Sequence, residues 1–199
     1  MKKKILSLLL GAIFAISTCS CSSQNPNNTD IQSPNSQMYI KPSVFSEETQ
    51  QILELLDEEI TFFDIVLNDN VKSYAISLWI FNDGKWSEQG KILGDNSADA
   101  HRIAAKITGD TCVLYSIDEN GHSKCTYRDL NISFEESLGI ISSKIHSETF
   151  IELDTEIPVW VKIGNDENHL ESLDLDNFKN AKCNAGFAIT FTAYSEAAT

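Results

Sequence analysis

From Ser46 onward the chain carries two successive rhythms of apolar and polar residues. Ile52, Leu55, Leu56 and Ile60 recur at intervals of three and four, with Glu54, Asp57 and Glu58 between them. This is the spacing of one face of an α-helix. Ser46, Glu47 and Glu48 supply a start for it: a capping hydroxyl, then acids where the helix dipole favours negative charge. One N-terminal amphipathic helix of about three turns is expected, laid across a sheet. Beyond it the period drops to two. Residues 62–67 read as a strand, and Asn68, Asp69 and Asn70 turn the chain. Tyr74, Ile76, Leu78 and Ile80 then fall on one face of a strand and Ala75, Ser77, Trp79 and Phe81 on the other. Asn82, Asp83 and Gly84 close a hairpin into residues 85–93.

Further strands are expected at residues 100–108, 111–117, 122–128, somewhere within 138–153, at 157–164 and at 186–194. The turns between them come at short intervals without long intervening helices, which points to antiparallel pairing. The expected fold is mainly β, an antiparallel β-sandwich of about seven to nine strands with the one helix; an incomplete barrel is the alternative. Residues 21–42 are rich in Ser, Asn, Gln and Pro and read as a flexible tether, leaving 43–199 as a single ectodomain.

Ahead of the tether, Lys2, Lys3 and Lys4 precede an apolar run over residues 5–16 that only Ser7 and Gly11 interrupt. A charged segment followed by an apolar one of this length has the form of an export signal. It is shorter than the roughly 20 apolar residues a membrane-spanning helix needs. Ser17, Thr18, Cys19 and Ser20 lead to Cys21, and these small residues ending in Ser20 resemble the lipobox of bacterial prolipoproteins. Cys19 fits the pattern less well as the modified cysteine, because Thr18 would then occupy the position that usually holds Gly, Ala or Ser.

The resemblance implies cleavage after a signal peptide of residues 1–20 and a diacylglycerol thioether on Cys21. Further acylation of palmitate type would hold the chain on the extracytoplasmic face of a cell membrane. Each buried methylene of such a tail contributes about 0.8 kcal/mol. An ordinary secretory signal that releases the protein is the other reading. The resemblance ends near residue 24, and the ectodomain resembles no family.

The chain has 15 basic and 29 acidic residues, a formal net charge of −14. Removing residues 1–20 leaves 12 basic residues against 29 acidic ones, a net charge of −17. Such a chain repels phosphate polyanions, so no nucleic-acid partner is expected, nor docking on anionic headgroups through basic residues. Cys112, Cys125 and Cys183 remain after Cys19 and Cys21, so at most one internal disulfide can form. A two-residue turn at Asn120 and Gly121 would put Ser116 opposite Cys125 and Cys112 four residues further along. Bridged Cα atoms sit within about 7 Å, so all three cysteines read as small buried apolar residues.

His101, His122, His146 and His169 show no metal-ligand spacing, and no nucleophile elbow, zinc-protease helix or phosphate loop is present. Asp174, Asp176 and Asn177, with Asp166 and Glu167 nearby, offer hard oxygens for calcium but lack the glycine and terminal glutamate of a helix-loop-helix calcium loop. No metal or cofactor is implied. Catalysis through two carboxylates about 5–9.5 Å apart needs no local motif, which keeps a small carboxylate-dependent hydrolase of envelope or extracellular glycans as the competing reading.

The candidate ligand-binding residues are Trp79, Trp86 and Trp160. Indoles standing on a sheet surface would stack on sugar rings or aromatic partners. If the helix from Ser46 covers that face, they form a second small core instead. The leading expectation is a lipid-anchored, noncatalytic module at the cell surface that binds a glycan or an envelope protein.

Overall fold

A computed structural model describes residues 37–55, 59–95, 102–166 and 172–197. Their strands are β1 (Tyr39–Pro42), β2 (Glu59–Val66), β3 (Ser73–Asn82), β4 (Lys85–Asp95), β5 (Arg102–Thr108), β6 (Thr111–Asp118), β7 (Gly121–Tyr127), β8 (Gly139–Lys144), β9 (Thr149–Phe150), β10 (Glu156–Asn165) and β11 (Ala185–Tyr194). Helix α1 (Glu47–Leu55) lies between β1 and β2, and a 3₁₀ turn, Phe178–Asn180, precedes β11. The protein is thus mainly β, with eleven strands where about seven to nine were expected. They form two antiparallel sheets, one of six strands in the order β7-β6-β5-β2-β1-β9 and one of five in the order β4-β3-β11-β10-β8.

The alternation along the strands explains the core. Tyr74, Ile76, Leu78 and Ile80 of β3 and Phe187, Ile189, Phe191 and Ala193 of β11 share one apolar cluster with Ile40, Phe63, Ile65, Ile103, Ile107 and Leu114 from the other sheet. Each large side chain removed from water here contributes about 1.5–3 kcal/mol. The buried Tyr74 hydroxyl and Ser116 Oγ meet at 2.6 Å, a hydrogen bond that links the sheets through the core and satisfies two polar groups that would otherwise be costly to bury.

The structure corrects the sequence-based picture in several places. Strand β1 falls inside the stretch expected to be tether: Ile40 is buried, and Tyr39–Pro42 pairs with β2 on one side and β9 on the other. Four residues ending in proline are too few to reveal a period. The single strand expected within 138–153 is two, β8 and β9, in different sheets.

None of the residues of α1 is buried, and Ile52 and Leu55 are exposed. The helix therefore does not bury its apolar stripe on a sheet face. At this corner Phe45, ahead of the helix, does the packing, edge-on to Phe62 with centroids 5.1 Å apart.

In the β6–β7 hairpin the turn falls on Glu119 and Asn120, because the Asp118 carboxylate accepts the Asn120 N–H at 2.7 Å. Leu114, not Ser116, therefore faces Cys125, and Cys112 pairs with Tyr127. Cys112 and Cys125 are diagonal neighbours, a placement that separates Cα atoms by about 7–8 Å. All three cysteines are free thiols.

Candidate ligand-binding faces

The tryptophans do not share one exposed face. Val159 and Trp160 are consecutive, and strict alternation would send them to opposite sides, but the β10–β11 register shifts between Pro158 and Trp160, and both side chains enter the main core. Such a bulge inserts one extra residue and re-aims the side chains after it. Trp160 is 0% exposed, packs edge-on against Phe187 at 4.8 Å and donates its indole N–H to Ser142 Oγ at 3.0 Å. The Lys144 ammonium lies 4.5 Å from its ring. Burial pulls the Lys144 pKa down, Glu59 pulls it up, and Lys162 adds to the lowering.

Trp79 and Trp86 lie on the outer face of the five-stranded sheet, half-buried in a second apolar cluster with Val161, Ile163 and Ala188. The cover over this face is the segment 172–184, not α1. Its Phe178 is buried and meets Trp86 edge-on. A polar lock surrounds it: Glu156 accepts hydrogen bonds from the Trp79 indole at 2.8 Å, the Thr190 hydroxyl at 2.9 Å and the Lys179 ammonium at 2.5 Å. That ammonium also sits 3.6 Å from the centre of the Trp79 ring, a cation–π contact. The second-core reading of Trp79 and Trp86 is thus realised under a different lid.

The outer face of the six-stranded sheet differs in kind. Register places Val66, Tyr39 and Phe150 side by side, and Val66 and Phe150 are 40% and 56% exposed. The next row runs Lys41, Asp64, Arg102 and Ile117 across β1, β2, β5 and β6. Three strand spacings make that row about 14 Å long. The row after it holds Phe62, Ala104, Tyr115 and Lys124; Ala104, the smallest, is buried between larger neighbours.

Tyr39, Lys41, Asp64, Val66, Arg102, Ile117, Asp118 and Glu119 line a groove of about 510 Å³ on this face, a size that suits a small ligand. Burial disfavours the Asp64 anion, but hydrogen bonds from Arg102 Nε and Ser43 Oγ, each 2.7 Å, outweigh it together with the Arg102 and Lys41 charges. Its carboxyl is held below the usual value of 3.8. The Arg102 guanidinium also stacks 4.9 Å from the Phe45 ring centre.

The remaining candidates are dispersed. His122 and His146 are exposed, and His101 and His169 lie outside the described residues. The Asp174 carboxylate is turned into its own loop, accepting the Asp176 N–H at 3.2 Å and the Asn177 side-chain amide at 2.7 Å. Asp166 is exposed and Glu167 lies outside the described residues. Among the described residues no three His, Cys, Asp or Glu side chains are placed to hold a metal ion, and no helix is long and apolar enough to cross a membrane. Among the described residues, the carboxyls of Asp64 and Asp154 both shift downward, the direction of an anion held by hydrogen bonds. Cys21 lies outside the described residues.

Sequence reasoning missed Tyr39, Lys41 and Arg102 as ligand candidates. The only local signal was the parity of β5, where Ile103 and Ile107 point inward and Arg102 therefore outward. Comparison with known proteins finds no family model, no curated relative and no solved structure that matches this chain.

Proposed function

We propose that the protein is a lipid-tethered, noncatalytic binding module of the cell surface: a β-sandwich ectodomain joined through a short tether to an acylated Cys21, its ligand surface the outer face of the six-stranded sheet. One observation carries the choice of surface. Segment 172–184 packs over Trp79 and Trp86 on the outer face of the five-stranded sheet, whereas Val66 and Phe150 stand exposed on either side of Tyr39 on the six-stranded sheet. A strand-borne face with apolar rings and fixed charges supports ligand stacking with orientation. The tether rests on the three N-terminal lysines, the apolar run and the small residues before Cys21.

The test uses the full chain in detergent. Radiolabelled palmitate fed to the cells that make the protein is expected to enter the wild type and not Cys21→Ala. An array of neutral and acidic glycans is expected to capture the protein, with capture lost in Tyr39→Ala and Tyr115→Ala and the sugars recovered at their original length. Shortened sugars would move the assignment to a carboxylate-dependent hydrolase. Capture indifferent to both tyrosines would remove this face from consideration.

A further inference from the structure

The groove beside Tyr39 carries both signs of charge in a defined order, and the order selects a ligand chemistry. Arg102 donates from Nε to Asp64 and lies against Phe45, so its position is fixed from two sides. Its terminal amino groups bond to no described residue. Guanidinium groups present these as a planar fork that matches a carboxylate. Lys41 stands in the same cross-strand row on the far side of Asp64, with its ammonium 5.0 Å from the Tyr39 ring centre. Asp118 and Glu119 line the same groove from the end of β6 and the turn after it, and carboxylates are acceptors only, suited to hydroxyl donors. Tyr39, Val66 and Ile117 add apolar surface to the same lining.

Building on the binding-module reading, we infer that this groove takes a uronate-containing oligosaccharide. The carboxylate of the sugar meets Arg102 and Lys41, its ring lies on Tyr39, and its hydroxyls donate to Asp118 and Glu119. A nucleic acid fits poorly, since its backbone esterifies the sugar hydroxyls that would otherwise donate to Asp118 and Glu119. An extended peptide relies on main-chain pairing at a sheet edge, and the middle of a sheet face offers none.

The test is calorimetric titration of the full chain, solubilised in detergent, with polygalacturonate oligomers. Their fully methyl-esterified counterpart and polyglutamate serve as controls. Polygalacturonate is expected to bind, to weaken as salt rises, and to weaken about ten-fold or more in Arg102→Gln and in Lys41→Gln, the loss of one charged hydrogen bond each. Lys41→Gln alters a half-exposed side chain, so it reports even if Arg102→Gln disturbs folding. Equal binding of the methyl ester would overturn carboxylate recognition, and equal binding of polyglutamate would overturn the sugar. No uronate binding by a protein that still captures other glycans through Tyr39 would overturn this inference and leave the proposed face intact; binding unchanged in both variants would overturn the groove itself.

Discussion

Phe178 meets Trp86 edge-on, with ring centroids 4.9 Å apart and planes at 87°. The pair joins segment 172–184 to the five-stranded sheet, because Phe178 is 1% exposed and its neighbours in the segment are mostly polar. The Trp86 indole N–H beneath it has no hydrogen-bond partner among the described residues, so the two rings meet through packing, beside the Lys179–Glu156 ion pair.

Phe178→Ala should therefore lower stability by about 3 kcal/mol, the usual cost of emptying a buried aromatic site. It should also shift tryptophan emission to the red as water reaches Trp79 and Trp86. Urea unfolding followed by fluorescence measures both. A variant with the wild-type midpoint and emission maximum would show that the segment is held elsewhere.

Asp64 gives the stability a specific acid limb. Its folded carboxyl titrates below 3.8, the value it has when unfolded. In that interval the unfolded chain binds the proton and the folded chain does not. The stabilising contribution is thus complete above pH 3.8 and is lost as pH falls through the folded value. Water reaches the Asp64–Arg102 pair, whose side chains are 27% and 33% exposed, which limits its worth to about 1 kcal/mol. Thermal melts of wild type and Asp64→Asn should diverge at pH 6 and draw together as pH falls below 3.8; parallel curves would contradict the assignment.

The thiols of Cys112 and Cys183 are both pushed up to about 12 by burial, with Cys125 adding to the effect at Cys112. The thiolate is the nucleophile, so neither should react with iodoacetamide at pH 8 while the protein is folded, and both should react in urea. Peptide mapping by mass spectrometry distinguishes them. Rapid native labelling of Cys183 would mean that segment 172–184 opens on the timescale of the experiment.

Gly90 of β4 lies under the ring of Tyr127, which belongs to β7 in the other sheet. A Cβ placed there would overlap that ring. Gly90→Ala should cost about 1–3 kcal/mol through overpacking. In the Tyr127→Leu background the cost should shrink to a few tenths, a coupling that a double-mutant cycle in urea measures. Additive losses would place the strain at some other contact.

How much of the fold is legible in the sequence depends on the range of each signal. Strands β3, β4, β5, β6, β7, β10 and β11 carry enough alternating or β-branched residues to appear on their own, and Asp83 and Gly84 announce their turn through residues that tolerate positive φ. The features that escape depend on distant partners. The burial of Ile40 exists because β2 and β9 flank β1, and the inward turn of Trp160 comes from a register shift against β11. The lid over Trp79 is a polar stretch whose single buried aromatic, Phe178, has no periodic company. The groove is harder still to read, since Lys41, Asp64, Arg102 and Ile117 come from four strands and become neighbours only through pairing.

The placement of β11 constrains how the molecule can form. This strand lies between β3 and β10 and pairs with both, so the five-stranded sheet lacks its middle until residues 185–194 are present. Pairing at such sequence separation is slow. A nascent chain that has not yet reached β11 leaves β3 and β10 without their shared neighbour, and a stop codon before Ala185 would abolish the sheet instead of trimming it.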